Sequence, residues 1–535
     1  MTGLQAAGRL AALCLTAIAL AGAGAGGPVL GAAPSTLTVG LDQEPPTLDP
    51  HASPSAVTFQ MITDVTENLL YEDLSGRLLP WLATAYKASP DGKSFTFTLR
   101  RDAKFSDGAP VDAEAVKWNF DRIVNPNFKA GGALLAIKGY AGSTVVDPYT
   151  VQVTFKAPYA PFLAYAAGGT LSLVSPKTTP TQGDAVNQKP VGSGRFVVAE
   201  YVAKDHVTLT RNAGYNRQPP YSRHAGPASV ERIVWKFIPE SGTRVTTVET
   251  GETQMINFQS VPAAVLTRLE ANKALRVEKN PYPGAPRIWV LNVRKAPTND
   301  PKVRQALLYG VNRAAVAGSV FRGIGTTACA PLTQHMLATP ALCGKYSYDP
   351  KKAAQLLEEA GWKMPSANNI RMKNGQPLTV EINSINYGSG NLPEVELLQG
   401  QLIQLGVDAR IKSQARPPWY EDNYHCATNG PILFLRDPDW NALSALFDST
   451  NIGGNFNWSC YANPEADRLL AEGRTQFDPA KRRAIYQRLE TLLMDDAVAV
   501  PLVDELSVWV VRNSVRGTTY NFSTYPVLGD VTVGR

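Results

Sequence analysis

The sequence predicts an α/β protein of two lobes joined by strand crossings, and three observations carry that prediction. The chain has 535 residues, more than one hydrophobic core serves, so two or three domains are expected. Residues 280–293 read N-P-Y-P-G-A-P-R-I-W-V-L-N-V, with three prolines and a glycine ahead of the unbroken apolar run 288–291, which has the composition of a buried strand. Strand-rich sequence precedes this stretch and amphipathic helices follow it, as expected of a stiff crossover between lobes. A second apolar stretch, A-V-A-V-P-L-V-D-E-L-S-V-W-V-V at 497–511, can carry the chain back. Two crossings imply lobes that rotate about them with a cleft beneath, a clam that holds a ligand without altering it.

Composition narrows the classes. Hydrophobic residues make up 44% and charged ones 18%, values of an ordinary globular protein. The net charge of +6 is modest, and the tight basic groups, Lys351-Lys352 and Lys481-Arg482-Arg483, fall on helical patterns with acidic neighbours. They read as solvated helix faces, so no nucleic-acid partner is expected. Residues 1–25 have the form of a secretory signal: Arg9, an apolar core at 10–20 and the small-residue site Ala23-Gly24-Ala25. Cleavage after Ala25 is expected, with a site near Ala33 or an uncleaved anchor as alternatives. Leu13 is too bulky before Cys14 for lipid attachment. No later stretch approaches the ~20 apolar residues of a membrane span.

Cys329, Cys343, Cys426 and Cys460 remain after the signal. In an oxidising compartment they favour two disulfides, with three connectivities open. Cys329–Cys343 and Cys426–Cys460 are preferred, because each pair brackets one Pro/Gly-containing loop. No pair has C-x-x-C spacing, so neither a metal site nor a cofactor is expected.

In chain order, 37–41 reads as a first strand and 44–51 as a loop, since prolines deny the backbone its donors. A helix is expected over 57–70. Residues 94–100 form a period-2 strand with 150–155 as its partner. Between them lies a helix opened by Asp112 as N-cap, with Val116, Phe120 and Ile123 as its apolar side. The Gly-rich turn at 191–198 lacks the last glycine of a dinucleotide fingerprint and any phosphate-loop lysine. Asp300-Pro301, Asp349-Pro350, Asn463-Pro464 and Asp478-Pro479 each open a helix with a capping side chain and a proline at the first position. The helix from Pro350 ends at Gly361, and that from Pro393 ends at Gly406 and feeds the strand 407–411. Strand, helix and strand over 378–411 predict parallel pairing.

Several stretches together resemble solute-binding protein family 5, the large periplasmic solute-binding proteins of peptide- and nickel-type ABC importers. The region 67–121 carries Y-E-D-L-S-G-R-L-L-P-W-L-A-T-A-Y and D-A-K-F-S-D-G-A-P-V, which are similar to the family's signature. P-V-G-S-G-R-F at 190–196, D-P-K-V-R-Q-A-L at 300–307 and Y-D-P-K-K-A-A-Q-L-L-E-E-A-G-W at 348–362 follow in the family's order. The resemblance implies an α/β, two-lobed periplasmic-binding-protein fold of type II, the large peptide-binder type, with an extra subdomain in lobe I. Lobe I is expected over 36–282 with the subdomain at about 76–185, lobe II over 283–500, and a return to lobe I over 501–535. It further implies a monomer in the periplasm that closes on a small-molecule or peptide-like ligand and delivers it to a membrane permease.

Peptide binders of this family carry an acidic residue for the ligand's amino terminus, three positions ahead of an Asp-Pro. Here that segment is P-I-L-F-L-R-D-P-D-W at 431–440, and the matching residue is Phe434, which offers an ammonium only a cation–π contact. Arg436 suits an anionic group better. Arg195 stands where many relatives have proline. The candidate ligand residues are Glu44, Asn386, Tyr387, Trp419, Tyr420, Phe434, Arg436, Asp437 and Trp440. Each also has a plainer reading as a loop acid, a turn cap, a packing ring or, for Arg436, an ion pair with Asp437 or Asp439. Two other functions stand beside this one: a secreted peptide-binding chaperone and a secreted hydrolase. The hydrolase lacks both a G-x-S-x-G elbow and an H-E-x-x-H motif.

Overall fold

The computed structural model describes residues 35–534 except 54, 260, 337, 366–368, 386–391 and 455. The expected signal segment lies outside the described residues. The fold is organised by one long strand, Ala499–Arg512, inside a ten-stranded sheet. Its first half pairs antiparallel with Ala285–Val290, matching Val290 to Ala499 and Arg287 to Val503, and with Gly325–Thr327. Its second half pairs with Leu275–Pro281, matching Pro281 to Leu506 and Leu275 to Arg512, and with Met255–Asn257. The two apolar stretches singled out in the sequence therefore lie side by side. Valine-rich alternation buries both faces of the long strand, as expected for a central position.

The rest of the sheet extends from Met255–Asn257 through Thr36–Leu41, Arg232–Phe237 and His206–Arg211 to Phe196–Val202. Its core gathers Leu37, Val39, Ile233, Trp235, Trp509 and Val511. On the other side, Trp289, Val303, Leu307, Leu357, Val380, Leu398 and Val500 form a second core under helices. Strands Thr379–Ile385 and Asp408–Gln414 pair in parallel around the helix Pro393–Gln404. A separate four-stranded antiparallel sheet takes the order Ala83–Ala88, Ser94–Leu99, Thr150–Phe155, Tyr140–Asp147. The helix Ala113–Val124 packs Val116, Phe120 and Ile123 against it, and Asp112 caps it by accepting from Ala115 N–H at 2.9 Å.

All four Asx-Pro helices start as the sequence predicts, at Pro301, Pro350, Pro464 and Pro479, each with its Asp or Asn accepting from the first turn. Cys329 is bonded to Cys343 and Cys426 to Cys460. The helix expected over 57–70 is shorter, Ala56–Ile62, and Leu70–Glu72 is a strand. The turn at 190–196 causes this change. Gly194 N–H donates to Val65 carbonyl and Phe196 N–H to Asp64 carbonyl, and a Cβ on Gly192 would lie 1.9 Å from Val65 oxygen. Backbone packed that closely draws the Asp64 and Val65 carbonyls out of a helical ladder.

Candidate ligand-binding site

The turn between Leu275–Pro281 and Ala285–Val290 runs against the end of strand Ile432–Leu435. Gly284 there has φ 101°, and a Cβ would stand 2.1 Å from Leu435 oxygen and 2.6 Å from Asp437 nitrogen. Only glycine allows so close a pass. The contact sets Tyr282 beneath Arg436, whose guanidinium carbon is 3.7 Å from the Tyr282 ring centroid and 5.2 Å from that of Phe434. Phe434 also carries Arg287, 5.3 Å from its centroid, but that cation is neutralised by Glu394 at 2.8 Å and by Glu505.

Arg436 differs. It has no carboxylate partner among the described residues, and its Nε is buried without a hydrogen bond. The expected alternative of an ion pair with Asp437 or Asp439 is not what the structure forms. Asp439 is held by Arg482, whose Nη1 donates to Oδ2 at 2.7 Å, and Asp437 accepts from Tyr165 hydroxyl at 3.2 Å and from Asp439 N–H at 2.8 Å. A guanidinium between aromatic faces keeps its in-plane donors for another group.

Asp437 lies among acids as well as donors. Burial, with the neighbouring Asp439 carboxylate, pushes its carboxyl up to about 7 against the lowering effect of its hydrogen bonds. Burial raises Glu72 well above the ordinary range, helped by Asp439, Asp73 and Asp437. Phe522 N–H donates to Glu72 carbonyl, and the Phe522 ring stacks on His335 with centroids 4.7 Å apart. Burial lowers His335. Two contacts flank this cluster: Ala160 N–H donates to Arg474 carbonyl at 2.8 Å, and Phe95 meets Phe477 at 6.0 Å.

The remaining candidates are distributed unevenly. Trp440 is half-buried, donates from Nε1 to Met336 carbonyl at 2.8 Å, and lies against Tyr486 and Arg482. Trp419 is 5% exposed and meets Trp458 edge-on at 4.9 Å, so it sits in a core, with Tyr420 beside it at 5.2 Å. Glu44 accepts from Tyr201 hydroxyl at 2.7 Å, away from the Arg436 cluster's own hydrogen bonds. Arg195 is buried and structural, binding Asp530 at 2.6 Å. Asn386 and Tyr387 lie outside the described residues. Two hollows of about 420 and 410 Å³, lined by Tyr309, Tyr348 and Lys352 and by Arg276, Arg516 and Thr518, share no residue with this cluster.

Residues 77–454 match the model of the bacterial extracellular solute-binding proteins, family 5 middle region. The chain belongs to this family. It is 29% identical over 501 residues to the glutathione-binding protein GsiB of Salmonella choleraesuis strain SC-B67, covering 92% of this chain and 93% of the relative. It is also 29% identical over 502 residues to the nickel-binding periplasmic protein of Escherichia coli K12, covering 91% and 92%. Among solved structures it is similar to NikA from Brucella suis in complex with Fe(III)-EDTA, with a TM-score of 0.82, 26% identity, and coverage of 93% and 99%. The fold is thus the two-lobed periplasmic-binding-protein type, and this family-5 chain is a binder of solutes rather than a catalyst. No helix among the described residues is long and apolar enough to cross a membrane.

Sequence reasoning named Phe434, Arg436 and Asp437 but missed Tyr282, Tyr165, Glu72 and His335. Tyr282 carried a usable signal, an aromatic between two crossover prolines. The other three come from a short helix (Tyr165), a strand end (Glu72) and a 3-10 turn (His335) remote in sequence, with no local pattern.

Proposed function

We propose that this protein is the extracytoplasmic receptor of an ABC importer, closing two lobes over a small solute that presents an anionic group to Arg436. Lobe I comprises 36–282 and 501–535, with a subdomain at about 76–185, and lobe II comprises 283–500. The switch of pairing partners along Ala499–Arg512, near Val503 to Leu506, supports that division. The signal-like start supports a periplasmic location, and the family supports a permease as partner. The observation that carries the ligand reading is Arg436, a cation held between Tyr282 and Phe434 with no carboxylate of its own among the described residues. A carboxylate or comparable anion from the solute completes its hydrogen bonds. Phe434 at the position of the peptide-amine acid argues against an ordinary free peptide.

Mass spectrometry of the solute that co-purifies with the protein identifies it and is expected to find an anionic group. Arg436→Ala is then expected to weaken that solute by about 2 kcal/mol or more. An unchanged dissociation constant, measured by calorimetry, removes Arg436 from the site.

A further inference from the structure

The two disulfides differ in what a thiol arriving from solvent can reach. Cys460 is fully buried and Cys426 half-buried. Cys343, in contrast, is exposed on the short helix Leu342–Lys345, and its partner Cys329 is half-buried. Exchange begins when a thiolate attacks a sulfur it can approach, so the first attack falls on Cys343. Cys329 follows strand Gly325–Thr327, whose Thr327 stands opposite Val503, and Ala328 N–H donates to the Leu502 carbonyl at 3.2 Å. One end of the bond is thus fixed to the central sheet, and the other lies at the surface.

The loop that the bond closes, 330–342, reaches the Arg436 site through its middle. Thr333 N–H donates at 2.9 Å to the carbonyl of Gly284, in the turn that sets Tyr282 beneath Arg436. The Met336 carbonyl accepts from Nε1 of Trp440, just past Arg436 in the chain, at 2.8 Å. The same loop is anchored outward, Leu332 and Thr339 N–H donating to Glu490 and Gln334 N–H to Asp504. A loop tied at both ends gives up little entropy in making these contacts, and one with a freed end gives up more. Opening the bond therefore weakens the hold of the loop on Gly284 and Trp440. Arg313 donates to both the Ala328 and the Tyr346 carbonyls, which keeps the two ends near each other and lets the bond re-form.

We infer that Cys343 is a thiol-exchange site, and that the state of the Cys329–Cys343 bond sets how firmly one wall of the Arg436 site is held. The inference deepens the receptor reading and rests on it for the consequence to the solute. The reductant is a small thiol. Its thiolate bonds to the Cys343 sulfur, the Cys329–Cys343 bond breaks, and Cys329 leaves with the electron pair and takes a proton from water. A second thiolate then attacks the sulfur of the first thiol and frees Cys343. Two thiols are oxidised to one disulfide while the two cysteines are reduced. With the bond closed the wall is stiff and solute is retained; with it open, solute is released sooner.

The test uses the full-length, solute-free protein and graded 2-mercaptoethanol, with iodoacetamide trapping and peptide mass mapping. Cys329 and Cys343 are expected to be labelled at reductant concentrations that leave Cys426 and Cys460 bonded. Hydrogen exchange at the concentration that opens only the first bond is expected to rise by about tenfold or more over 330–342, and also over 281–286 and 434–441. A merely structural bond would loosen its own loop and leave those two neighbouring segments unchanged. Cys329→Ser with Cys343→Ser is expected to show the faster exchange without reductant and no further response to it. Labelling of Cys426 and Cys460 first overturns the inference, as does unchanged exchange over 281–286 and 434–441 once the bond is open. If the double variant does not fold, the wild-type labelling and exchange decide alone. No solute enters these measurements, so their failure leaves the receptor reading intact, while failure of that reading shows separately as an absent co-purified solute.

Discussion

At the scale of single residues, pairing decides which charges serve structure and which are left for a ligand. The basic run at 481–483 reads as a solvated helix face, and Lys481 is exposed, but Arg482 turns inward. Its side chain is 12% exposed and that of Asp439 is 6%. Helical periodicity could not reveal this, because the acid that draws Arg482 in lies 43 residues away. Arg482→Met is expected to strand a buried carboxylate and cost about 3–5 kcal/mol in urea denaturation. A loss under about 1 kcal/mol would mean that water reaches Asp439. Phe434 and Arg436 were legible for the opposite reason: both sit beside an Asp-Pro whose place in the chain is recognisable. Glu72 and Tyr165 were not, since their meaning depends on what the opposite wall brings to them.

At the scale of elements, local chemistry was a sound guide wherever the deciding contacts are local. The four Asx-Pro starts hold because cap, proline and first-turn N–H groups are all within a few residues. Asp478 accepts from Ala480 and Lys481 N–H at 2.9 and 3.0 Å. Asp478→Ala is expected to cost about 1 kcal/mol, read as a lowered denaturation midpoint with the slope unchanged. The helix over 57–70 fails for want of that locality, since Gly194 and Phe196, more than a hundred residues later, take over the Val65 and Asp64 carbonyls. The Cys329–Cys343 bond encloses a loop that two buried acids clamp. Glu490 accepts from Leu332 and Thr339 N–H, and Asp504 from Gln334 N–H. Reducing that bond, whose cysteines have a sequence separation of 14, is expected to cost about 3 kcal/mol, seen as a lower melting temperature in dithiothreitol.

At the scale of the whole molecule, buried acids set the pH range of stability. Burial raises Asp437, Glu490 and Asp504 each to about 7. Their contribution is complete below about pH 4 and is lost as pH climbs through 7. Asp49 and Asp530 behave in the reverse sense. Burial works against them, but Arg122 at Asp49 and Ser222, Arg223 and Arg195 at Asp530 outweigh it, and that stability disappears as acid protonates them. Resistance to urea is therefore expected to peak in mildly acid solution and to be lower at about pH 8.5 than at about pH 5.5, where equal midpoints would refute the assignment. The paired crossings were visible from composition alone, because a central strand buried on both faces needs an uninterrupted apolar run. Which residues line the space beside them was not, since that depends on packing over hundreds of residues.

Ala499–Arg512 stitches both sheet regions together from the far end of the chain. Ribosomal synthesis therefore delivers the central strand after every strand it pairs with has emerged with an open edge. A truncation at 495 would leave those edges unmated and is expected to yield inclusion bodies rather than a smaller working receptor. Supplying 496–535 as a separate peptide is the natural way to rescue it.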